Sequence, residues 1–177
     1  MKPARSIVLI GMMGAGKSSV GRCLERRTGL SRLDTDEMAA IKLGPSVPEI
    51  FSKFGEEKFR EIETQMLREL DPAKAMIIAT GGGIVLRNEN VDLMRQLGTI
   101  VWLEANEETL FERAMRKKVR PLLQTETPRA TFAELLRTRT PLYARIADVR
   151  IDTASLSHDE VAEMILNKIG NLISTRQ

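Results

Sequence analysis

Residues 11–18 of this chain read Gly-Met-Met-Gly-Ala-Gly-Lys-Ser and match the pattern G-x-x-x-x-G-K-[ST]. The apolar run Ser6–Ile10 precedes this motif, and a helical stripe of Val20, Cys23 and Leu24 follows it. A strand, a glycine-rich turn and a helix in this order point backbone N–H groups into the turn, beside the positive end of the helix dipole. The motif therefore predicts a polyphosphate-binding loop at the end of a buried strand.

Two residues of the loop have specific expected roles. Lys17 is expected to reach the β- and γ-phosphates of a nucleotide, and the Ser18 hydroxyl suits a Mg²⁺ ion that bridges them. Two alternatives fit less well. A plain glycine turn with an exposed lysine does not need the flanking strand and helix. A dinucleotide-binding fingerprint requires G-x-G-x-x-G, whereas these glycines run G-x-x-G-x-G.

Short apolar runs recur along the chain and alternate with segments of helical periodicity. This alternation is typical of a parallel sheet covered by helices. A length of 177 residues suits one domain. We predict a single doubly wound α/β domain with five strands, at Ile7–Ile10, Leu30–Leu33, Met76–Ala79, Ile100–Leu103 and Val149–Ile151.

The sequence also predicts several helix ends and one loop. Gly29 can take the left-handed conformation that ends the first helix. Ser46-Val-Pro-Glu49 and Ser157-His-Asp-Glu160 are capping boxes that begin two further helices, and His158 is expected to face water. The segment Lys117–Arg129 is polar, contains two prolines and lacks periodicity, so we predict a mobile loop there.

Composition excludes several classes of protein. The net charge is +3 and no basic tract alternates with aromatic residues, which argues against a nucleic-acid partner. One cysteine and one histidine allow neither an internal disulfide nor a metal site built from several such residues. No apolar run approaches the roughly 20 residues that cross a bilayer, and no secretion signal is recognisable. We expect a cytoplasmic protein that acts as a monomer and has no membrane partner.

Carboxylates and glycines follow two of the predicted strands. Asp34-Thr-Asp36 comes after the second strand, and if it stays extended, Asp34 and Asp36 point to the same side, towards the phosphate loop. The alternative is an Asp that caps a helix beginning near Glu37. Gly81–Gly83 follows the third strand, where glycines let a ligand touch the backbone, although a plain turn is also compatible.

Taken together, these motifs resemble those of the shikimate kinases. The resemblance covers almost the whole chain, with six motifs in the family's order and spacing. They are Gly11–Ser18, Asp34-Thr-Asp36, Phe59-Arg60 with Ile62-Glu63, Gly81–Gly83, Arg120-Pro-Leu-Leu123 and Arg139-Thr-Pro-Leu-Tyr143.

The resemblance implies a fold and an activity. The fold would be three-layered, with a five-stranded parallel sheet like that of nucleoside monophosphate kinases and other P-loop NTPases. It would carry a substrate-binding segment at about residues 35–63 and a lid at about residues 117–129. The activity would be ATP-dependent phosphorylation of the 3-hydroxyl of shikimate, which gives shikimate 3-phosphate and ADP.

The resemblance also implies a role for each matching residue. ATP would contact Gly14, Ala15, Gly16, Lys17, Ser18, Ser19, Arg113 and Arg120. Shikimate would contact Asp36, Arg60, Gly81, Gly82, Gly83 and Arg139. Mg²⁺ would be held by Ser18 and, through water, by Asp34. The catalytic residues would be Lys17, Asp36 and Arg120, with Arg120 moving in from the lid.

Other readings remain open at this stage. Arg60 also fits an ion pair with Glu63 on a helix surface, and Arg139 also fits an ordinary surface charge. Pro45 and Pro48 depart from the family's usual pattern in the substrate-side helix. The alternative functions are another small-acceptor kinase, such as a gluconate or nucleotide kinase, and a module that binds ATP without turning it over.

Overall fold

The structure, a computed structural model, describes residues 5–44, 47–116 and 120–175. Its centre is a sheet of five parallel strands in the order β2-β3-β1-β4-β5. The strands are β1 (Ser6–Ile10), β2 (Arg32–Asp34), β3 (Ile77–Ala79), β4 (Gly98–Glu104) and β5 (Val149–Asp152). The predicted fold class is confirmed. Each predicted apolar run contributes to a strand, although β2 begins two residues later than predicted.

The central strand β1 brings the predicted motifs together. All five of its residues are buried, and Val8 pairs with Ile78 of β3 and with Ile100 of β4. Because the strands are parallel, their carboxyl ends lie at one edge of the sheet. The phosphate loop follows β1, Asp34 is the last residue of β2, and the Thr80–Gly83 segment follows β3. All three therefore lie at this edge, which is where open α/β sheets bind ligands.

Helices connect the strands across the described residues. They are α1 (Lys17–Thr28), α2 (Thr35–Leu43), α3 (Val47–Arg68), α4 (Asn88–Leu97), α5 (Glu107–Met115), α6 (Pro128–Ile146) and α7 (His158–Thr175). Gly29 ends α1 at a φ of 71°, as predicted. The capping box at the start of α7 is confirmed, because Ser157 and Glu160 exchange side-chain to backbone hydrogen bonds of 2.8 and 3.3 Å. The other predicted box includes Ser46, which, like Pro45, lies outside the described residues.

Helices α2 and α3 pack on each other through a small apolar cluster of their own. Its buried members are Ala39, Ile50, Phe59 and Met66. Helix α3 is interrupted at Gly55, where φ is 78°, so the chain changes direction between its two halves. The second half carries an apolar stripe of Phe59, Ile62 and Met66 and therefore holds its polar side chains in a fixed orientation next to the sheet edge.

The predicted loop at Lys117–Arg129 is only partly irregular. Residues 117–119 lie outside the described part of the chain, Pro121–Leu123 forms a single turn of 3-10 helix, and α6 already begins at Pro128. Leu123 is buried, so this turn is attached to the body of the domain.

Candidate active site

The phosphate loop needs glycine because the backbone has no room for a side chain. Gly11 and Gly14 have φ values of 139° and 88°, which other residues rarely adopt. A Cβ atom at Gly11 would overlap the carbonyl oxygen of Leu103, and one at Gly14 would overlap that of Leu110. The loop is therefore pressed against the end of β4 and against α5, and its shape is fixed by these contacts.

Lys17 is held inside this loop. Its Nζ donates hydrogen bonds to the carbonyl oxygens of Gly11 and Met12, at 2.7 and 3.0 Å. Burial lowers the pKa of Lys17 to about 8, while the nearby Asp36 carboxylate acts in the opposite direction. The ammonium group is thus poorly hydrated, so an anion that enters the loop gains a strong electrostatic partner.

Ser18 and Asp34 meet at the start of α1. The Ser18 hydroxyl donates a 2.6 Å hydrogen bond to Oδ2 of Asp34. The other oxygen of Asp34 accepts from the N–H of Asp36 at 3.1 Å and caps α2. The sequence left open whether this Asp caps a helix or faces the phosphate loop. The carboxylate of Asp34 does both, because one oxygen caps α2 and the other contacts Ser18.

The extended backbone on which the prediction for Asp34 and Asp36 was conditional is not present. β2 ends at Asp34, and Asp36 lies in the first turn of α2. The helix begins at once because Asp34 caps it, and this turn carries the Asp36 side chain towards Lys17. Burial and the adjacent Asp34 carboxylate raise the pKa of Asp36, whereas Lys17 and Arg120 oppose the rise.

Two neighbouring cavities open at this edge of the sheet. The larger, of about 480 Å³, runs along the phosphate loop, and the smaller, of about 80 Å³, lies beyond Asp36. Four residues line both cavities and so form the boundary between them: Met13, Asp36, Gly82 and Arg120. A phosphate held in the loop would therefore face whatever occupies the smaller cavity.

Two buried arginines give the smaller cavity its charge. Arg60 and Arg139 line it and are only 5% and 2% exposed, so Arg139 is not the surface charge that the sequence also allowed. Arg60 does pair with Glu63, at 2.5 Å, and with Glu56, at 2.9 Å. This pairing fixes the guanidinium beside the cavity instead of leaving it at a solvated surface. Phe51 and Phe59 supply an apolar wall.

The consecutive glycines allow these charged groups to approach the backbone. A Cβ atom at Gly81 would overlap Oε1 of Glu63 and lie 3.0 Å from Oδ1 of Asp36. A Cβ atom at Gly83 would overlap the guanidinium of Arg60. The Gly81–Gly83 segment, here called the glycine loop, thus lets the Glu63 and Arg60 side chains pack directly against the backbone, which a plain turn would not need.

Arg120 and Arg113 lie on the side of α5 and the predicted lid. Arg120 lines both cavities, and its buried Nε has no hydrogen-bond partner within the described residues. Arg113 lines the larger cavity and donates hydrogen bonds to Oγ1 and the carbonyl of Thr153 and to the carbonyl of Ala154. Both arginines therefore contribute positive charge to the cavity that would hold polyphosphate.

Some lining residues were not predicted from the sequence. Met13, Arg116, Leu156, Ser157 and His158 line the larger cavity. The imidazole of His158 is exposed, as predicted, but it also lies against Gly16 of the phosphate loop. The segment around His158 follows β5 and so lies at the same edge of the sheet, and this position could have predicted that it lines the cavity.

Ala15 was predicted to contact ATP, but its side chain is buried and does not line the larger cavity. Its N–H donates a hydrogen bond to the carbonyl oxygen of Met12.

A parallel five-stranded sheet whose phosphate loop faces an acidic residue and a second, cationic cavity defines a P-loop kinase. The family model described as shikimate kinase matches residues 13–170. The chain belongs to the shikimate kinase family.

Individual relatives agree with this assignment. The chain is 46% identical over 168 residues to a shikimate kinase of Thermodesulfovibrio yellowstonii, a match that covers 95% of this chain and 96% of the relative. The solved structure of a shikimate kinase from Acinetobacter baumannii in complex with shikimate is 40% identical, has a TM-score of 0.91, and covers 95% of this chain and 94% of that one. A gluconokinase from Sinorhizobium meliloti, with a TM-score of 0.63 and coverage of 98% and 95%, is 18% identical and shares the fold.

Proposed function

We propose that this protein transfers the γ-phosphate of ATP to the 3-hydroxyl of shikimate. The observation that carries the proposal is the boundary between the two cavities, where Asp36 and Arg120 stand between the phosphate loop and a pocket with two buried arginines. Phosphoryl transfer needs this arrangement because catalysis depends mainly on holding the two substrates in line and on stabilising charge.

The larger cavity suits ATP. Its walls include Gly14, Gly16, Lys17, Ser18 and Ser19, so backbone N–H groups, the dipole of α1 and the Lys17 ammonium would surround the phosphates. Arg113 and the segment around His158 line the remainder and would receive the nucleoside. Ala15, whose side chain is buried, would contact the phosphates only through its backbone.

The donor atoms near Ser18 suit Mg²⁺. A hydroxyl and a carboxylate are the hard oxygen donors that Mg²⁺ prefers, and Mg²⁺ usually keeps several waters and takes the rest of its ligands from phosphates. Within the described residues, no three His, Cys, Asp or Glu side chains are grouped so that they could hold a metal ion. Ser18 would hold the ion directly and Asp34 through water, and the bound ion would neutralise phosphate charge.

The smaller cavity suits a small carboxylic acid with hydroxyl groups. Arg60 and Arg139 would bind the carboxylate, because guanidinium groups match carboxylate geometry. The backbone of Gly81–Gly83 would contact the ring substituents. The relative from Acinetobacter baumannii was solved with shikimate, and the match of both arginines to the family's motifs supports the same ligand here.

Asp36 is in position to accept the proton of the attacking hydroxyl. Its raised pKa makes it a better base than an exposed aspartate, and its place on the boundary allows contact with the acceptor. Lys17 and Arg120 would stabilise the charge on the transferring phosphoryl group. Closure of the segment that carries Arg120 would exclude water and limit wasteful hydrolysis of ATP.

A coupled assay for ADP with ATP, Mg²⁺ and a panel of acceptors tests this proposal. We expect ADP to form with shikimate well above the acceptor-free rate, and not with gluconate or nucleoside monophosphates. An unchanged rate with shikimate contradicts the proposal. Turnover of gluconate favours the small-acceptor alternative, and ATP binding without turnover favours the binding module.

We further propose that the enzyme acts as a monomer in the cytoplasm. The buried, unpaired Cys23 is compatible with a reducing compartment. Across the part of the chain that the structure describes, no helix combines the length and the apolar character needed to span a bilayer. Sedimentation and cell fractionation test the two statements.

A further inference from the structure

The glycine loop between the two cavities is held from opposite ends by two side-chain hydroxyl groups. The N–H of Gly81 donates a 2.9 Å hydrogen bond to Oγ1 of Thr35, and the hydroxyl of Tyr143 donates a 2.5 Å hydrogen bond to the carbonyl oxygen of Gly82. Gly82 lines both cavities, so its peptide groups are part of the boundary. The position of this boundary therefore depends on Thr35 and Tyr143.

Neither hydroxyl-bearing residue lines the two cavities. Thr35 and Tyr143 are both fully buried. Each is nevertheless close in sequence to a residue that lines the smaller cavity, where the acceptor would bind. Thr35 precedes Asp36, and Tyr143 lies one turn after Arg139 on α6. Burial also raises the pKa of the Tyr143 phenol to about 12, so the group stays a hydrogen-bond donor at ordinary pH.

We propose that Thr35 and Tyr143 are positioning residues that fix the glycine loop relative to Asp36 and Arg139, and so set where the acceptor hydroxyl lies without touching the acceptor. This inference rests on the proposed function and deepens it. The two hydroxyls connect three segments that are far apart in sequence, at the ends of β2 and β3 and on α6. Loss of either hydrogen bond would move the glycine loop, and with it the wall of the smaller cavity, but would leave the phosphate loop in place.

Four variants test the proposal. Thr35→Val and Tyr143→Phe keep the shape of the side chain and remove the hydroxyl, and Thr35→Ser restores the acceptor atom. Thr140→Val is the matched control, since its hydroxyl bonds at 2.7 Å to the carbonyl of Leu136 within α6. We expect Thr35→Val and Tyr143→Phe each to lower kcat/KM for shikimate about tenfold, as expected when a buried group loses its partner. The KM for ATP should change less than about twofold, and Thr35→Ser and Thr140→Val should resemble wild type.

A merely structural role predicts a different pattern. If the hydroxyls only stabilise the fold, Thr35→Val and Tyr143→Phe lower the melting temperature but change the kinetic constants for both substrates equally, or change neither. Either pattern overturns the proposal.

Hydrogen exchange separates this inference from the proposed function. The Gly81 amide should exchange at least about tenfold faster in Thr35→Val than in wild type or Thr35→Ser, whether or not shikimate is the acceptor. Equal exchange in all three proteins overturns the positioning role even if wild type phosphorylates shikimate. If wild type does not phosphorylate shikimate, the proposed function is refuted. If the Gly81 amide still exchanges faster in Thr35→Val than in wild type, the hydrogen bond from Gly81 to Thr35 is established independently of that result.

Discussion

The guanidinium group of Arg60 occupies the space that a Cβ atom on Gly83 would require. The glycine loop and the arginine that we propose for carboxylate binding are therefore packed as one unit. Backbone strain has no part in this relationship, because φ of Gly83 is −96°, a value that other residues also adopt.

We expect Gly83→Ala to raise the KM for shikimate at least about tenfold, because the new methyl group displaces Arg60 from its position beside the cavity. The KM for ATP should stay within about twofold of wild type. Gly170→Ala is the matched control, since a Cβ atom at this helical residue meets nothing within 4 Å. Steady-state kinetics with each substrate varied in turn provides the measurement. An unchanged KM for shikimate in Gly83→Ala contradicts the packing argument.

Asp36→Asn should keep ATP binding and lose at least about 10² in turnover, because the amide cannot accept the hydroxyl proton. Glu37→Gln, which changes the exposed neighbouring carboxylate, serves as the control and should turn over like wild type. Calorimetric titration with ATP in the absence of shikimate measures the binding, and the coupled assay measures the turnover. Turnover close to the wild-type value in Asp36→Asn removes this residue from the mechanism.

Arg120→Met should lower turnover by on the order of 10³, at the lower end of the effect of a comparable arginine in GTPases. Its guanidinium lines both cavities, so the loss should appear in kcat and less in the binding of either substrate alone. The control is Arg129→Met, whose exposed side chain pairs with Glu108. Equal losses of turnover in Arg120→Met and Arg129→Met would contradict a specific role of Arg120 and would indicate that only the total positive charge of this segment matters.

Glu63 should make stability depend on pH. Burial raises its pKa from 4.5 to about 7, with Arg60 opposing the rise. The folded protein therefore holds this proton over a pH range in which the unfolded chain has released it. The free energy of unfolding contributed by Glu63 is fully present below pH 4.5 and is lost as the pH rises through about 7.

The Glu63→Gln variant has no carboxyl group at this position, so it lacks the pH-dependent contribution of Glu63 to the free energy of unfolding. Between these two pH values, the free energy of unfolding of wild type should fall by on the order of 2 kcal/mol more than that of the variant. Urea denaturation at a series of pH values measures both curves. Parallel curves would show that Glu63 is already ionised throughout the range.

The parts of the site that depend on local sequence were predictable. The phosphate loop, the capping box at Ser157 and the buried strands each follow from residues that are adjacent in the chain. The conformation of Asp36 was not, because the cap formed by Asp34 turns the chain into a helix one residue after the strand ends. Alternating residues do not reveal whether the backbone continues as a strand or starts a helix that the Asp34 side chain caps.

Long-range packing accounts for the other differences. Arg60 was compatible with a surface ion pair, and it does pair with Glu63, but the glycine loop from a different strand covers that pair and buries it. His158 was expected only to face water, and the order of the strands places it beside Gly16. The contacts of the glycine loop with this pair and of His158 with Gly16 join residues 18 or more positions apart, and one sequence carries no direct record of them.

Arg60 and Arg139 are proposed to hold the carboxylate of shikimate opposite the phosphate loop. The most direct test compares kcat/KM for shikimate and for its uncharged methyl ester, in wild type and in Arg60→Met. We predict that wild type prefers shikimate by at least about 10², and that Arg60→Met reduces this preference to about tenfold or less, because a buried guanidinium is lost from the pair. Equal use of the acid and the ester by wild type would contradict the binding of the carboxylate by these arginines.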